Sequence, residues 1–138
     1  MRKQFLLFLA ATFILLLNSC QKDLSKNWGG TYTGIAGSST VQRVVVTIVD
    51  KKTVKMELQT NIAGSYYAFA TISKGKLTDA TTVIIDEDGT IVTVPANTNT
   101  YRFSGTGKLN GNTLTLNGVA TNKANSSDVL YYTFTGTK

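Results

Sequence analysis

The sequence predicts an all-β fold, a small antiparallel barrel of eight or so strands, and three observations lead there. After residue 28 apolar and polar side chains alternate with a period of two, Thr, Val and Tyr are abundant in the alternating stretches, and Gly, Asn or Asp interrupt them at short intervals. Nothing beyond the N-terminal segment carries a helical period long enough to make an amphipathic helix. Strand counting alone leaves a β-sandwich as the alternative; a barrel has the advantage of leaving no strand edge open.

The first element is not part of that fold. Met1-Arg2-Lys3 is basic, the run from Phe5 to Leu17 is apolar but short for a bilayer span, and a small Ser19 precedes the single cysteine, Cys20. A basic start, an apolar middle and a small residue at the end form an export signal. Its removal would take Arg2 and Lys3 with it, lowering the formal charge from +6 to about +4. The expected organisation is therefore a signal peptide over 1–19, a tether over 20–27 that is polar and mixed in charge after the cysteine, and one domain over 28–138.

Within the domain, Gly30 to Ile35 is the first expected strand and Ala36-Gly37-Ser38-Ser39 a loop. Val41 to Val49 is the strongest β run, and because both of its faces are apolar in part it predicts a strand that is central in its sheet or covered on both sides. Asp50-Lys51-Lys52 breaks it, after which Val54, Met56 and Leu58 alternate with Lys55, Glu57 and Gln59, the pattern of a strand with one face in water. In the next strand Tyr67, Phe69 and Thr71 point one way and Tyr66, Ala68, Ala70 and Ile72 the other, with a turn at Ser73–Gly75. Asp86-Glu87-Asp88-Gly89 reads as a tight hairpin between Thr82–Ile85 and Thr90–Val94, since Gly accepts the positive φ that such a turn needs. Pro95 suits a strand end or loop. Asn110-Gly111 predicts a second hairpin joining Tyr101–Leu109 to Thr113–Val119, Ala120 to Asp128 an exposed polar loop, and Val129–Thr135 a last strand with Leu130, Tyr132 and Phe134 on one face.

Several segments resemble known proteins. Leu17-Asn18-Ser19-Cys20 is similar to the lipobox of bacterial lipoproteins, and a polar residue such as Asn18 at its second position is familiar in the Bacteroidetes branch. That resemblance implies diacylation of Cys20 on sulfur by chains such as palmitate, which would remove the thiol from nucleophilic, redox or metal chemistry. Gln21-Lys22-Asp23 resembles the short signal that sends some of these lipoproteins to the outer face of the outer membrane, although Leu24 stands where the stronger form has a second acid. Asn27-Trp28-Gly29-Gly30-Thr31-Tyr32-Thr33-Gly34 looks like the opening of lipocalin-like lipoproteins, in which a Trp near the first strand closes one end of an up-and-down barrel; that role falls to Trp28. The stretch from Tyr101 to Leu116, with its Gly-Thr-Gly and Asn-Gly-Asn repeats, resembles the late hairpin of small lipocalin-like domains in the same bacteria. Lys26 stands where transport lipocalins have glycine, so the resemblance implies the calycin architecture, not membership of that transport group.

Little in the chain carries catalysis. There is no histidine, and the acids offer one cluster, Asp86, Glu87 and Asp88, too short for a calcium loop and without the separated partner that glycosidase chemistry requires. Gly105, Gly107 and Gly111 lack the Lys-Ser or Lys-Thr of a phosphate loop, and Gly105 and Gly107 fit a strand bend or bulge. The lysines are scattered and the mature part holds only Arg43 and Arg102, which argues against nucleic acid as a partner. No enzyme, metal or cofactor is expected. Tyr67, Phe69, Tyr101, Phe103, Tyr132 and Phe134 could line a shared interior, with tyrosine hydroxyls as polar points, and take a small hydrophobic or amphipathic ligand; otherwise they fill the barrel. The expected role is a non-enzymatic cell-envelope lipoprotein held to the outer membrane through Cys20. The alternatives are a surface module for glycan or protein capture, which an exposed band containing Trp28, Tyr66 or Tyr131 would support, or an inhibitor of a secreted hydrolase.

Overall fold

The computed structural model describes residues 22–34, 40–93 and 97–138. Eight strands follow in chain order: β1 (Gly30–Gly34), β2 (Arg43–Asp50), β3 (Thr53–Ile62), β4 (Ser65–Leu77), β5 (Thr82–Thr93), β6 (Asn97–Asn110), β7 (Thr113–Asn122) and β8 (Val129–Thr137). Each pairs antiparallel with the next, and β8 returns to β1 at Thr33↔Thr137 and Gly34↔Gly136. That last pairing excludes the sandwich: the fold is the predicted all-β, eight-stranded antiparallel up-and-down barrel, an arrangement consistent with calycin or lipocalin-like architecture. The signal segment, Cys20, Gln21, the loop at 36–39 and Pro95 lie outside the described residues.

Alternation places one face of every strand inside. Val44, Val46, Val54, Met56, Leu58, Ile72, Ile85, Phe103, Leu114 and Leu116 are buried there and belong to one core inside the barrel. β2 is central, paired with β1 and β3, and of the two expected arrangements it takes that one: Val45 is half-buried and Val49 is exposed, because a closed sheet has a single inside and among the described residues no second layer lies over this wall.

Two tight turns place residues at positive φ. Gly111 takes φ 58° in the two-residue β6–β7 turn. In the β3–β4 turn Ala63 and Gly64 take φ 52° and 87°, with the Gly64 N–H donating to Asn61 Oδ1 at 2.9 Å. Positive φ at both central positions is the I′ geometry, which favours Asn-Gly over Ala-Gly. Ala63→Asn is therefore expected to raise folding stability by about 0.5–1 kcal/mol, measured as a higher urea midpoint at unchanged m-value.

Three expectations are corrected. Asp86–Gly89 is no hairpin: β5 runs through it and pairs residue for residue with β6 from Thr82↔Lys108 to Thr93↔Asn97. Asp86 and Asp88 face outward to Arg102 at 2.5 and 3.4 Å, Lys123 reaches Asp88 at 2.5 Å, and the Phe103 ring covers Gly89. Ser73–Gly75 likewise does not turn the chain; β4 continues to Leu77 and carries register shifts opposite Val54/Met56 and Leu58/Gln59. Each shift adds one residue to β4 and resets which side chains face inward. Finally, Gly105 and Gly107 make no bulge, since β6 keeps continuous register with both neighbours.

The glycines instead make room for rings. Gly105 and Gly118 are cross-strand partners, and the Tyr132 ring lies over both, its hydroxyl donating to the Ser104 carbonyl at 3.2 Å. Gly34 and Gly136 are also partners, beneath Phe134. Burial raises the Tyr132 hydroxyl well above phenol's ordinary pKa of about 10. The unfolded chain releases this proton near pH 10 while the folded chain keeps it, so stability is complete below about pH 10 and falls as pH rises beyond it. Tyr32, raised by burial, and Tyr101, raised by its bond to Asp128, act in the same sense. Tyr132→Phe is expected to flatten the alkaline fall in unfolding free energy, followed by urea unfolding between about pH 9 and 11.

Candidate functional site

One end of the barrel is closed. Trp28 lies across it with no exposed surface, its Nε1–H donating to the Ala80 carbonyl in the β4–β5 turn at 3.0 Å. The Tyr32 hydroxyl donates to the Trp28 carbonyl at 2.8 Å, and Lys138 Nζ bonds the carbonyls of Asn27 and Gly29 at 2.8 and 3.1 Å. The approach to Trp28 is not the free tether expected up to Asn27. The Leu24 N–H donates to the Lys51 carbonyl at 2.8 Å, Leu24 packs on the core, and Ser25 is buried with its N–H and hydroxyl on Asp23. An apolar Leu24 and a side chain that caps its own turn bind this segment to the barrel.

The opposite end holds a cleft of about 650 Å³. β3 contributes Thr60 and Ile62, β4 Tyr67, Ala68 and Phe69, β5 Ile91 and Val92, and β8 Leu130, with Thr40 from the approach to β2. Ile91 is buried and Phe69 and Leu130 pack against the core, whereas Ile62, Tyr67 and Val92 keep 49, 54 and 45 % of their surface exposed. These last three form an apolar rim open to solvent, and among the described residues no charged side chain lines the cleft. A second cavity of about 180 Å³ shares Thr40, Phe69 and Leu130 and extends toward Val41 and Tyr131–Thr133.

The first register shift in β4 makes this site. Leu58 pairs with Ala70 and Thr60 with Tyr67, so the extra residue at Ala68–Phe69 lets Tyr67 and Ala70 face the same interior, contrary to strict alternation. Of the six aromatics considered from sequence, Tyr67 and Phe69 reach the cleft. Tyr101, Phe103, Tyr132 and Phe134 lie in the core below it, with the Phe103 and Tyr132 rings 6.1 Å apart and tilted by 52°. Ile62, Ile91, Val92 and Leu130 complete the cleft; Leu130 was legible on its strand face, the others only once the strands are paired.

Among the described residues the polar side chains that line the cleft are Thr40, Thr60 and Tyr67. The Tyr101 hydroxyl and Asn122 Nδ2 both donate to Asp128 Oδ2, at 2.7 and 2.9 Å, and these two bonds, Asn122 foremost, hold the Asp128 carboxyl below the usual carboxylate range. Of the aromatics considered for an exposed band, Trp28 is buried, Tyr66 is half-buried under Arg43 with the guanidinium 3.8 Å from its ring centre, and Tyr131 is 78 % exposed. Among the described residues no group of three or more His, Cys, Asp or Glu side chains is arranged to hold a metal ion. What the geometry offers is desolvation: apolar walls of the size small-molecule sites have, hydroxyls of Thr40, Thr60 and Tyr67 at the margin, and a packed floor. No protein family, curated protein or solved structure shows significant similarity to this chain.

Proposed function

We propose that this chain is a non-enzymatic lipoprotein of the bacterial cell envelope, anchored by acyl chains on Cys20, whose barrel takes a small hydrophobic or amphipathic ligand into the cleft opposite Trp28. The observation that carries the binding half is the rim of Ile62, Tyr67 and Val92. Exposed apolar side chains converging on a cavity are a standing cost in water that an apolar ligand removes. The bound group belongs to a neutral or weakly polar class, since the described lining is apolar with the hydroxyls of Thr40, Thr60 and Tyr67. The anchoring half rests on the Leu17–Cys20 motif, and Gln21-Lys22-Asp23 favours the outer face of the outer membrane.

Each half has its own test. Metabolic labelling with palmitate is expected to mark the wild-type chain and leave Cys20→Ser unmarked; equal labelling of both would end the lipoprotein reading. Solvent extraction of protein purified from its native membrane, followed by mass spectrometry, is expected to release a lipid-like compound that Ile62→Glu protein does not carry.

A further inference from the structure

Charge divides between the two ends of the barrel. Lys51 and Lys52 form the β2–β3 turn at the closed end, Lys22 and Lys26 stand on the approach to Trp28, and Lys138 ends the chain beside them. Lys76 and Lys108 point outward near the same end, paired with Thr53 and Thr82. Among the described residues none of these lysines has a carboxylate within ion-pair distance. The aspartates there are turned onto their own loops: Asp23 accepts from Ser25, Asp50 from the Lys52 N–H and Asp79 from Thr81. Toward the middle and the open end the charges cancel, five basic side chains against five acidic ones, with Arg102 and Lys123 already matched to Asp86 and Asp88, and Glu57 to Lys55.

Apolar side chains accompany the lysines. Ile48 and Val49 precede the Lys51–Lys52 turn at 44 and 57 % exposure, and the half-open Ile84 is the cross-strand partner of Lys76. Lysines interleaved with exposed aliphatic groups suit an interface with anionic lipid, where each Lys near the surface contributes roughly 1 kcal/mol.

The chain enters at this same end. Leu24 is held to Lys51, and four residues from Leu24 back to Cys20 span at most about 14 Å when fully extended. The barrel is taller than that: a ten-residue strand such as β3, tilted as barrel strands are, rises roughly 25 Å. An anchor on Cys20 therefore cannot bring the open end to the bilayer while the barrel stands upright.

We infer that the closed end, centred on Lys51, Lys52 and Val49, is a docking face for an anionic phospholipid surface, and that docking there turns the cleft away from the membrane. The tether argument rests on the Cys20 reading; the charge argument does not, so the test uses residues 21–138 without acyl chains. Co-sedimentation is measured with vesicles of phosphatidylcholine alone and of phosphatidylcholine with phosphatidylglycerol. Binding is expected only to the anionic vesicles, weakened by salt, and reduced roughly tenfold or more by Lys51→Glu with Lys52→Glu. Lys76→Glu with Lys108→Glu, away from the turn, is expected to act in the same direction. Lys123→Glu, Ala124→Glu and Ser126→Glu together remove equal charge from the opposite end and are expected to change binding by less than about twofold. A fluorophore on Val49→Cys is expected to be quenched by quencher-bearing lipid, and one on Val92→Cys to remain bright.

Equal binding to both vesicle types, equal loss from charge reversal at either end, quenching at Val92, or binding to heparin without binding to vesicles would each overturn the inference. Failure of palmitate labelling is a separate result and overturns the anchor alone.

Discussion

Trp28→Ala is expected to lower folding stability by about 3–5 kcal/mol, the range for removing a fully buried large aromatic, against about 5–15 kcal/mol for a typical domain. The ring is the floor of the barrel, and its loss opens a cavity that Tyr32 cannot fill, because Tyr32 is held to the Trp28 carbonyl. It also strands the Ala80 carbonyl, which now accepts from the indole. Trp28→Phe keeps most of the apolar volume and loses that hydrogen bond, with an expected cost of about 1–2 kcal/mol. Equilibrium urea unfolding followed by far-ultraviolet circular dichroism separates these values; Trp28 is the sole tryptophan, so its fluorescence reports on the wild type alone. A loss under about 1 kcal/mol for the alanine variant would show that the end is closed by something else.

Gly118→Ala is the second large effect. A Cβ there would collide with the Tyr132 hydroxyl on one side and stand 2.5 Å from the Ser104 carbonyl oxygen, a backbone atom, on the other. Overpacking of this kind costs about 2–3 kcal/mol, and the backbone contact prevents full escape by rotation of the ring. Adding Tyr132→Leu frees the side-chain half of the collision. The double variant is expected to lose less than the sum of the two single losses, a coupling measurable in a double-mutant cycle. Simple additivity would mean that Tyr132 does not lie over Gly118.

Much of the barrel was legible because strand alternation is a local property. Val54-Met56-Leu58 and Tyr132-Phe134 declare their buried faces within a few residues, and Asn110-Gly111 declares its turn. Asp88-Gly89 misleads for a non-local reason: its glycine answers to the Phe103 ring on the neighbouring strand, and its aspartate to Arg102 and Lys123. A glycine that admits a cross-strand ring and one that turns the chain look alike from a single strand. The same holds for Gly105, whose partner in the register is Gly118 and whose tenant is Tyr132.

The cleft was half legible. Tyr67 and Phe69 were candidates on aromatic character, yet the shift that brings Tyr67 and Ala70 to one face depends on how β4 meets β3 and leaves no mark in the alternation of β4 itself. The buried aromatics Tyr101, Phe103, Tyr132 and Phe134 share the pattern of a cavity lining but pack in the core, where the Phe103 and Tyr132 rings meet. Rim residues Ile62 and Val92 lie beside turns, where an isolated aliphatic residue gives no hint of what it faces.

The central claim is that the cleft binds an apolar ligand, and titration with a neutral fluorophore such as N-phenyl-1-naphthylamine tests it most directly. Wild-type protein is expected to give saturable, one-to-one enhancement that is displaced by a long-chain alcohol, and Ile62→Glu or Leu130→Glu to abolish it while the far-ultraviolet spectrum stays that of a β-barrel. Enhancement unchanged in both variants, or none in the wild type after extraction of any bound lipid, would contradict the claim.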